Sequence, residues 1–248
     1  MNRIVQPEIL DALLPENLDA IGSRRDLNRL NRLMRHPAIM ADAMAKNWQG
    51  PPPGRLTEIG AGDGKFLLSV AQKISTRWPN VRATLLDRQK SVTPETLADF
   101  AAPGWRAEAV VADVFDWPRS FEPGGVVIAN LFLHHFQEAR LAELLKVVSQ
   151  RAELFIALEP CRARWPLFCS RLLWAIGCNY VTQHDAEVSV RAGFDDSELC
   201  ALWPDKQNWE LAERRRPGGL DAWHRLAAAW RAGDDPRGGK LSASPRLR

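Results

Sequence analysis

From Arg55 onward, short apolar runs alternate with amphipathic stretches, and this alternation limits the fold more than any other feature of the chain. RLTEIGA reads as a strand and KFLLSVAQKISTRW as a helix. VRATLLD is a second strand, followed by a helix that Thr93 opens with Pro94 in its first turn. AEAVVADVFD, GGVVIANLFL and ELFIALEP read as three more strands, with the helix EARLAELLKVVSQ between the last two. VVIA and LFIAL are apolar at every position, as in strands covered by helices on both faces. Strands alternating with helices require crossover connections. The expected class is therefore α/β, a doubly wound, mostly parallel, seven-stranded Rossmann-like sheet with helices on both faces. NWELAERR supplies a sixth strand. HRLAAAW stays open: its alanines favour helix, and its place after the sixth strand favours a closing antiparallel strand.

Residues 1–49 lack the alternation and read as a helical N-terminal cap. Ser23 and Asp26 have capping-box spacing, Leu27, Leu30, Leu33 and Met34 fall on one helical face, and Pro37 restarts the helix. WQGPPPG closes the segment as a linker. The core is expected over 50–230, and a disordered basic tail over 231–248.

The turn after the first strand, EIGAGDGKF, spans Glu58 to Phe66. A dinucleotide fingerprint reads GxGxxG and leaves a helix N-terminus free for a pyrophosphate. Here Gly60 and Gly62 fit, but Lys65 stands where the third glycine belongs, and Gly64 makes the pattern GxGxG. Glu58 and Asp63 flank the turn. Two carboxylates would repel a pyrophosphate and suit a cation. Glycines that serve only close packing are the simpler alternative.

Composition narrows the partners. Of 248 residues, 46% are hydrophobic and 25% charged, and the net charge of +3 is too small to indicate nucleic acid. Cys161, Cys169, Cys178 and Cys200 form no CxxC pair, so no metal site or disulfide framework is indicated. MNRIVQPEIL has no signal-peptide core. The apolar stretch from Trp165 to Tyr180, broken by Arg171 and Asn179, is too short to cross a bilayer. The expectation is a cytoplasmic protein without stable membrane insertion.

The glycine turn resembles motif I of the class I S-adenosylmethionine-dependent methyltransferases, acidic-x-Gly-x-Gly-x-Gly. The resemblance continues in register over residues 55 to 160 and is weak elsewhere. It implies S-adenosylmethionine as cofactor, held at Glu58, Gly60, Ala61, Gly62, Asp63 and Gly64. It further implies that Asp87, with Arg88 beside it, takes the ribose hydroxyls. Asp113 and the Val114 backbone then fall at the adenine, with Asp116 a nearby rival, and Asn130 and Leu131 close the cofactor site after strand four. ANLFLHHF followed by LEP is similar to small-molecule methyltransferases of polyketide and quinone pathways.

An oxygen acceptor must lose its proton, usually to a histidine. His134 and His135 follow strand four on the ligand side of the sheet. His184, beside Asp185, is a third candidate, and His36 and His224 have less favourable settings. If LHHF is extended, neighbouring side chains face opposite ways. Phe136 then shares a packed side with His134, which leaves His135 toward the acceptor as the base. Both histidines could instead be packing residues. Trp165, Phe168 and Trp174 are candidates to line an apolar acceptor pocket or to cover the sheet. Arg25, Arg29 and Arg32 form a stripe that reads as a solvated face, or as a dock for an acidic acyl carrier protein or an anionic acceptor.

The reading implied by the resemblance is methylation of a small, aromatic or polyketide-like acceptor, with oxygen favoured. Carbon methylation of an activated aromatic or enol stays open. So do a non-catalytic binding protein on the same fold, an NAD-dependent reductase, and a homodimer. No Asn-Pro-Pro-Tyr or Asp-Pro-Pro-Tyr sequence follows strand four, and no long basic run is present, which disfavours protein and nucleic-acid acceptors.

Overall fold

The computed structural model describes residues 1–117, 124–195, 197–216 and 223–230. The expected tail over 231–248 lies outside them. The helices are α1 (Ile9–Ala12), α2 (Leu18–Leu33), α3 (His36–Asn47), α4 (Lys65–Ile74), α5 (Pro94–Asp99), α6 (Glu138–Ser149), α7 (Arg164–Ser170), α8 (Tyr180–Ala192) and α9 (Glu198–Leu202). The strands are β1 (Arg55–Ile59), β2 (Arg82–Asp87), β3 (Arg106–Val111), β4 (Val126–Asn130), β5 (Leu154–Glu159), β6 (Trp209–Arg216) and β7 (Trp223–Trp230). They form one seven-stranded sheet in the order β3-β2-β1-β4-β5-β7-β6. β1 to β5 run parallel, and β7 lies antiparallel between β5 and β6.

HRLAAAW is therefore a strand. Its Ala227, Ala228 and Ala229 pair with Ile156, Phe155 and Leu154 of β5, and all three are buried. Pairing on both sides satisfies the backbone of β7, and this tertiary gain overrides the helix preference of alanine.

Helices cover both faces of the sheet. On one face Met40 and Met44 of α3 and Leu67 and Val70 of α4 pack with Leu56 and Ile128. On the other, Leu141, Leu144 and Leu145 of α6 pack with Ile59, Phe155 and Trp203. Each such side chain stabilises the fold by roughly 1.5–3 kcal/mol. The third N-terminal helix is thus a layer of the sheet packing. Thr93 caps α5 with Pro94 in its first turn, and Pro37 lies in the first turn of α3, as the sequence indicates.

The second helix departs from expectation. α2 begins at Leu18 with Asn17 as its N-cap, accepting from the Asp19 amide at 2.8 Å. Ser23 is not a cap. The buried face is polar, with Ser23, Asp26 and Asn31, whereas Leu33 is exposed. The reason lies opposite. Asp26 Oδ2 accepts from the Asn179 amide at 2.8 Å and from the Thr182 hydroxyl at 3.2 Å, so α2 docks on α8 through hydrogen bonds.

Strand order reverses direction between β1 and β4. In an open α/β sheet the ligand crevice lies outside the strand C-termini at that point. The glycine turn and the LHHF segment both leave the sheet there.

Candidate active site

A cavity of about 330 Å³ opens at this reversal, walled by the ends of β1, β2 and β4, by α2 and by residues 8–11. Gly60 has φ +68°, and a Cβ there would come within 2.2 Å of the Phe132 ring. Gly62 has φ +55°, and a Cβ there would meet no atom within 4 Å. Gly60 is fixed by close approach, Gly62 by the left-handed backbone that turns its amide inward. That amide donates to Asp87 Oδ2 at 2.8 Å, and the Gln89 amide donates to Oδ1 at 2.8 Å. Two backbone donors thus aim the Asp87 carboxylate, and about two of its four lone-pair sites remain for a ligand.

Glu58 sits on β1 beneath the turn and is 2% exposed. Burial, followed by the charge of Asp63, pushes its carboxyl well above the usual carboxylate range. A bond from the Leu67 amide opposes this, and the charge of Asp87 adds to it. Among the described residues, nothing hydrogen-bonds Glu58 Oε2. A buried carboxylate oxygen without a donor is costly, and a cation in the cavity would relieve it. Asp63 is held by the Asn28 amide group at 2.8 Å and by Lys65, whose Nζ lies 3.6 Å away.

Asp113 lines the cavity with Val114 and caps a short 3-10 turn through the Phe115 amide at 2.9 Å. Asp116 is not among the lining residues. Arg88 lines it too, 3.4 Å from Asp11 Oδ1. Ala61 and Asp63 complete the turn's share of the wall, and Gly64 opens α4 just behind it.

At the end of β4, Asn130 is buried and bonded to His36 Nδ1 at 3.2 Å and to Asn31 Oδ1 at 3.3 Å. Leu131 has φ +53°, a left-handed conformation uncommon for a branched residue. It turns the chain into a 3-10 helix at Leu133–His135. Glu159, at the end of β5, explains the turn. Its Oε1 accepts from the amides of Phe132 at 3.0 Å and Leu133 at 2.8 Å, and its Oε2 from the His134 amide at 3.3 Å and ring Nδ1 at 2.7 Å. Burial opposes the charge on Glu159, yet the His134 ring and these amides hold its carboxyl below the usual range.

The extended LHHF geometry and its alternate facing are thereby corrected. The His134 and His135 rings lie side by side, centroids 4.3 Å apart and tilted 31°, and both line the cavity. His134 is buried, and its Nε2 reaches Glu8 Oε1 at 3.2 Å. Burial works against its charge, but bonds to Glu159 and Glu8 overcome this and push the imidazole up to about 9. His135 is 21% exposed, with Nδ1 3.2 Å from Asp11 Oδ2. Phe136 turns away from His134 and packs edge-on against Phe132 and Phe115.

Glu8 and Asp11 come from the N-terminal segment, which is tied across the site. The Arg3 guanidinium donates to the Phe136 carbonyl at 2.9 Å and the Ala192 carbonyl at 2.8 Å. Asp185 on α8 accepts from the Ile9 and Leu10 amides at 2.8 and 2.9 Å and so caps α1. Ser189 donates to Glu8. Both acids keep carboxyls below the usual range: burial resists, and the histidines outweigh it.

Three sequence expectations fall away from the cavity. His184 lies on α8. Its ring bonds Asp185 Oδ1 at 2.8 Å, and it does not line the cavity. Trp165, Phe168 and Trp174 are exposed and do not line it either. Of the arginine stripe, Arg25 and Arg32 face solvent, and Arg29 pairs with Asp26 at 3.1 Å. The face of α2 that meets the cavity is Arg24, Leu27, Asn28 and Asn31. Leu27 belongs to the helical face expected of the cap, whereas Arg24, Asn28 and Asn31, with Glu8, Asp11, Gln89 and Ser189, were not anticipated. Their spacing of three and four marks a helix face, but only the fold shows where it points.

No protein-family model and no curated protein matches the chain. Solved structures do. The plantazolicin methyltransferase BpumL in complex with SAH superposes with TM-score 0.58 at 11% identity, over 86% of this chain and 88% of that one. A putative O-methyltransferase from Nostoc punctiforme PCC 73102 gives 0.54 at 15%, over 79% and 56%. Magnesium protoporphyrin IX methyltransferase (ChlM) from Synechocystis PCC 6803 with bound SAH gives 0.52 at 9%, over 79% and 82%. The chain thus has the fold of class I S-adenosylmethionine-dependent methyltransferases.

Proposed function

We propose that this protein is an S-adenosylmethionine-dependent methyltransferase acting on a small acceptor, with an oxygen atom favoured as the site of transfer. The observation that carries the reading is that the buried Glu58 carboxyl, whose Oε2 has no hydrogen-bond partner among the described residues, shares the cavity with the Asp87 carboxylate that Gly62 orients. The residues present fit the cofactor: Glu58 and Asp63 suit its cationic amino-acid end, Asp87 its ribose hydroxyls, Asp113 and Val114 its adenine. When bound, S-adenosylmethionine supplies a methyl group on a sulfonium, which is electrophilic without a metal or covalent intermediate. The protein aligns the acceptor against that methyl, and alignment alone supplies several kcal/mol.

The His135 ring is proposed as the group that takes the acceptor's proton. Asp11 on its Nδ1 leaves Nε2 as the accepting nitrogen. His134 is already engaged at both ring nitrogens and serves as a fixed support. Two carboxylates at a pyrophosphate position argue against NAD. The solvent-facing Arg25 and Arg32 are the place where an acidic acyl carrier protein delivering the acceptor would dock. Incubation with labelled S-adenosylmethionine and a panel of phenols, enols and amines tests the reading. Acceptor-dependent formation of S-adenosylhomocysteine is expected. Tight SAH binding without turnover on any acceptor would indicate a binding protein instead.

A further inference from the structure

The acidic and basic groups of Glu8, His134 and His135 converge in a way that hydrogen bonding explains only in part. Each offers one ligand atom, and these atoms lie within 4.8 Å of one another. Glu8 Oε1 is 3.2 Å from His134 Nε2, and Glu8 Oε2 is 4.0 Å from His135 Nε2. The first distance is a hydrogen bond. The second is too long for one.

Both rings carry a carboxylate on the opposite nitrogen. His134 Nδ1 meets Glu159 Oε2 at 2.7 Å, and His135 Nδ1 meets Asp11 Oδ2 at 3.2 Å. Metal-ligating histidines are held in this way, because the carboxylate fixes the tautomer that leaves Nε2 for the ion. Ligand atoms about 2.1 Å from a common ion at tetrahedral angles lie roughly 3.4 Å apart. The 3.2 and 4.0 Å distances use the two oxygens of Glu8 in turn, and one ligand atom from each of the three side chains lies within 4.8 Å of the others, so closing on an ion takes side-chain shifts of about an ångström.

We propose that Glu8, His134 and His135 form a binding site for a divalent transition-metal ion of the Zn2+ class. Two imidazoles and one carboxylate suit zinc or cobalt better than magnesium or calcium, which prefer all-oxygen shells. The fourth position opens into the cavity. On binding, the proton between His134 and Glu8 passes to solvent and the ion takes its place. The ion also ties the N-terminal segment, through Glu8, to the end of β4. An ion on His135 Nε2 cannot coexist with a base there, so occupancy inhibits transfer. This consequence rests on the proposed function, whereas the binding itself does not.

The test uses full-length protein freed of metal with a chelator. Co2+ is titrated in by visible absorption and Zn2+ by calorimetry. One equivalent per chain is expected, with Zn2+ displacing Co2+. His135→Ala and Glu8→Gln should each weaken binding by at least about tenfold, and Asp11→Asn by about 10- to 100-fold, as for outer partners of a ligating histidine. Circular dichroism confirms that each variant is folded. His184→Ala, on the surface, should change nothing. Absence of stoichiometric binding overturns the proposal, and so does binding lost only in His184→Ala. Zn2+ should suppress turnover and EDTA restore it. Stoichiometric binding at these residues without inhibition would keep the metal site and remove His135 as base. Turnover without any metal binding would keep the proposed function and remove the site.

Discussion

The Gly62 amide donates to Asp87 Oδ2 across 2.8 Å, tying the turn after β1 to the end of β2. The two residues lie 25 positions apart in sequence, and their bond sets the distance between the two ends of the proposed cofactor site. A carboxylate held this way is organised before any ligand arrives.

Replacing Asp87 by alanine removes the acceptors proposed for the ribose. Charge-assisted hydrogen bonds contribute about 1.5–3 kcal/mol each. SAH affinity should fall at least about tenfold by calorimetry, with circular dichroism unchanged. An unaltered affinity would remove Asp87 from the cofactor site.

Glu58→Gln separates stability from binding. The folded carboxyl titrates well above its unfolded value of about 4.3. Folding is therefore favoured below that value and loses stability as pH rises through the folded one. Glutamine abolishes the loss. In the absence of cofactor the variant should melt at least about 2 °C higher than wild type near neutral pH, the shift that about 1 kcal/mol produces in a chain of this size. The gain should vanish at pH 4. SAH binding should nevertheless weaken. A variant less stable at neutral pH would contradict the unsatisfied-charge reading.

His135→Ala should lower kcat by about a hundredfold or more while KM and SAH affinity change little. Loss of affinity in step with kcat would indicate that His135 positions the acceptor rather than taking its proton.

Glu159→Ala deletes the acceptor for three turn amides and strands the His134 charge. Breaking a buried pair costs about 3–5 kcal/mol. Urea unfolding should show a loss of that size. A loss under about 1 kcal/mol would mean that the turn holds itself together.

Removing residues 1–16 takes away Glu8 and Asp11 but leaves α2 and the sheet-packed Met40 and Met44. The shortened protein should fold and bind SAH, yet turn over far more slowly, because water reaches the site. Removing residues 1–48 should instead unfold it, since α3 covers the sheet. Full activity after the shorter deletion would show that the N-terminal segment plays no part at the acceptor.

The alternating strands and helices from Arg55, the glycine turn, Asp87 at a strand end and the apolar runs of β4 and β5 were legible in the sequence. Each rests on local patterning: period, turn chemistry and the placement of small or acidic residues within a few positions. Two things were decided only in three dimensions. Ala227 to Ala229 became a strand because β5 and β6 satisfied its backbone on both sides, a gain that no local preference contains. The histidine pair became a compact cluster because Glu159, 25 residues away from His134, gathered the turn amides, and because Glu8, 126 residues away, closed on the rings. Charge interactions of this kind depend on spatial distance and burial, and separation along the chain does not encode either.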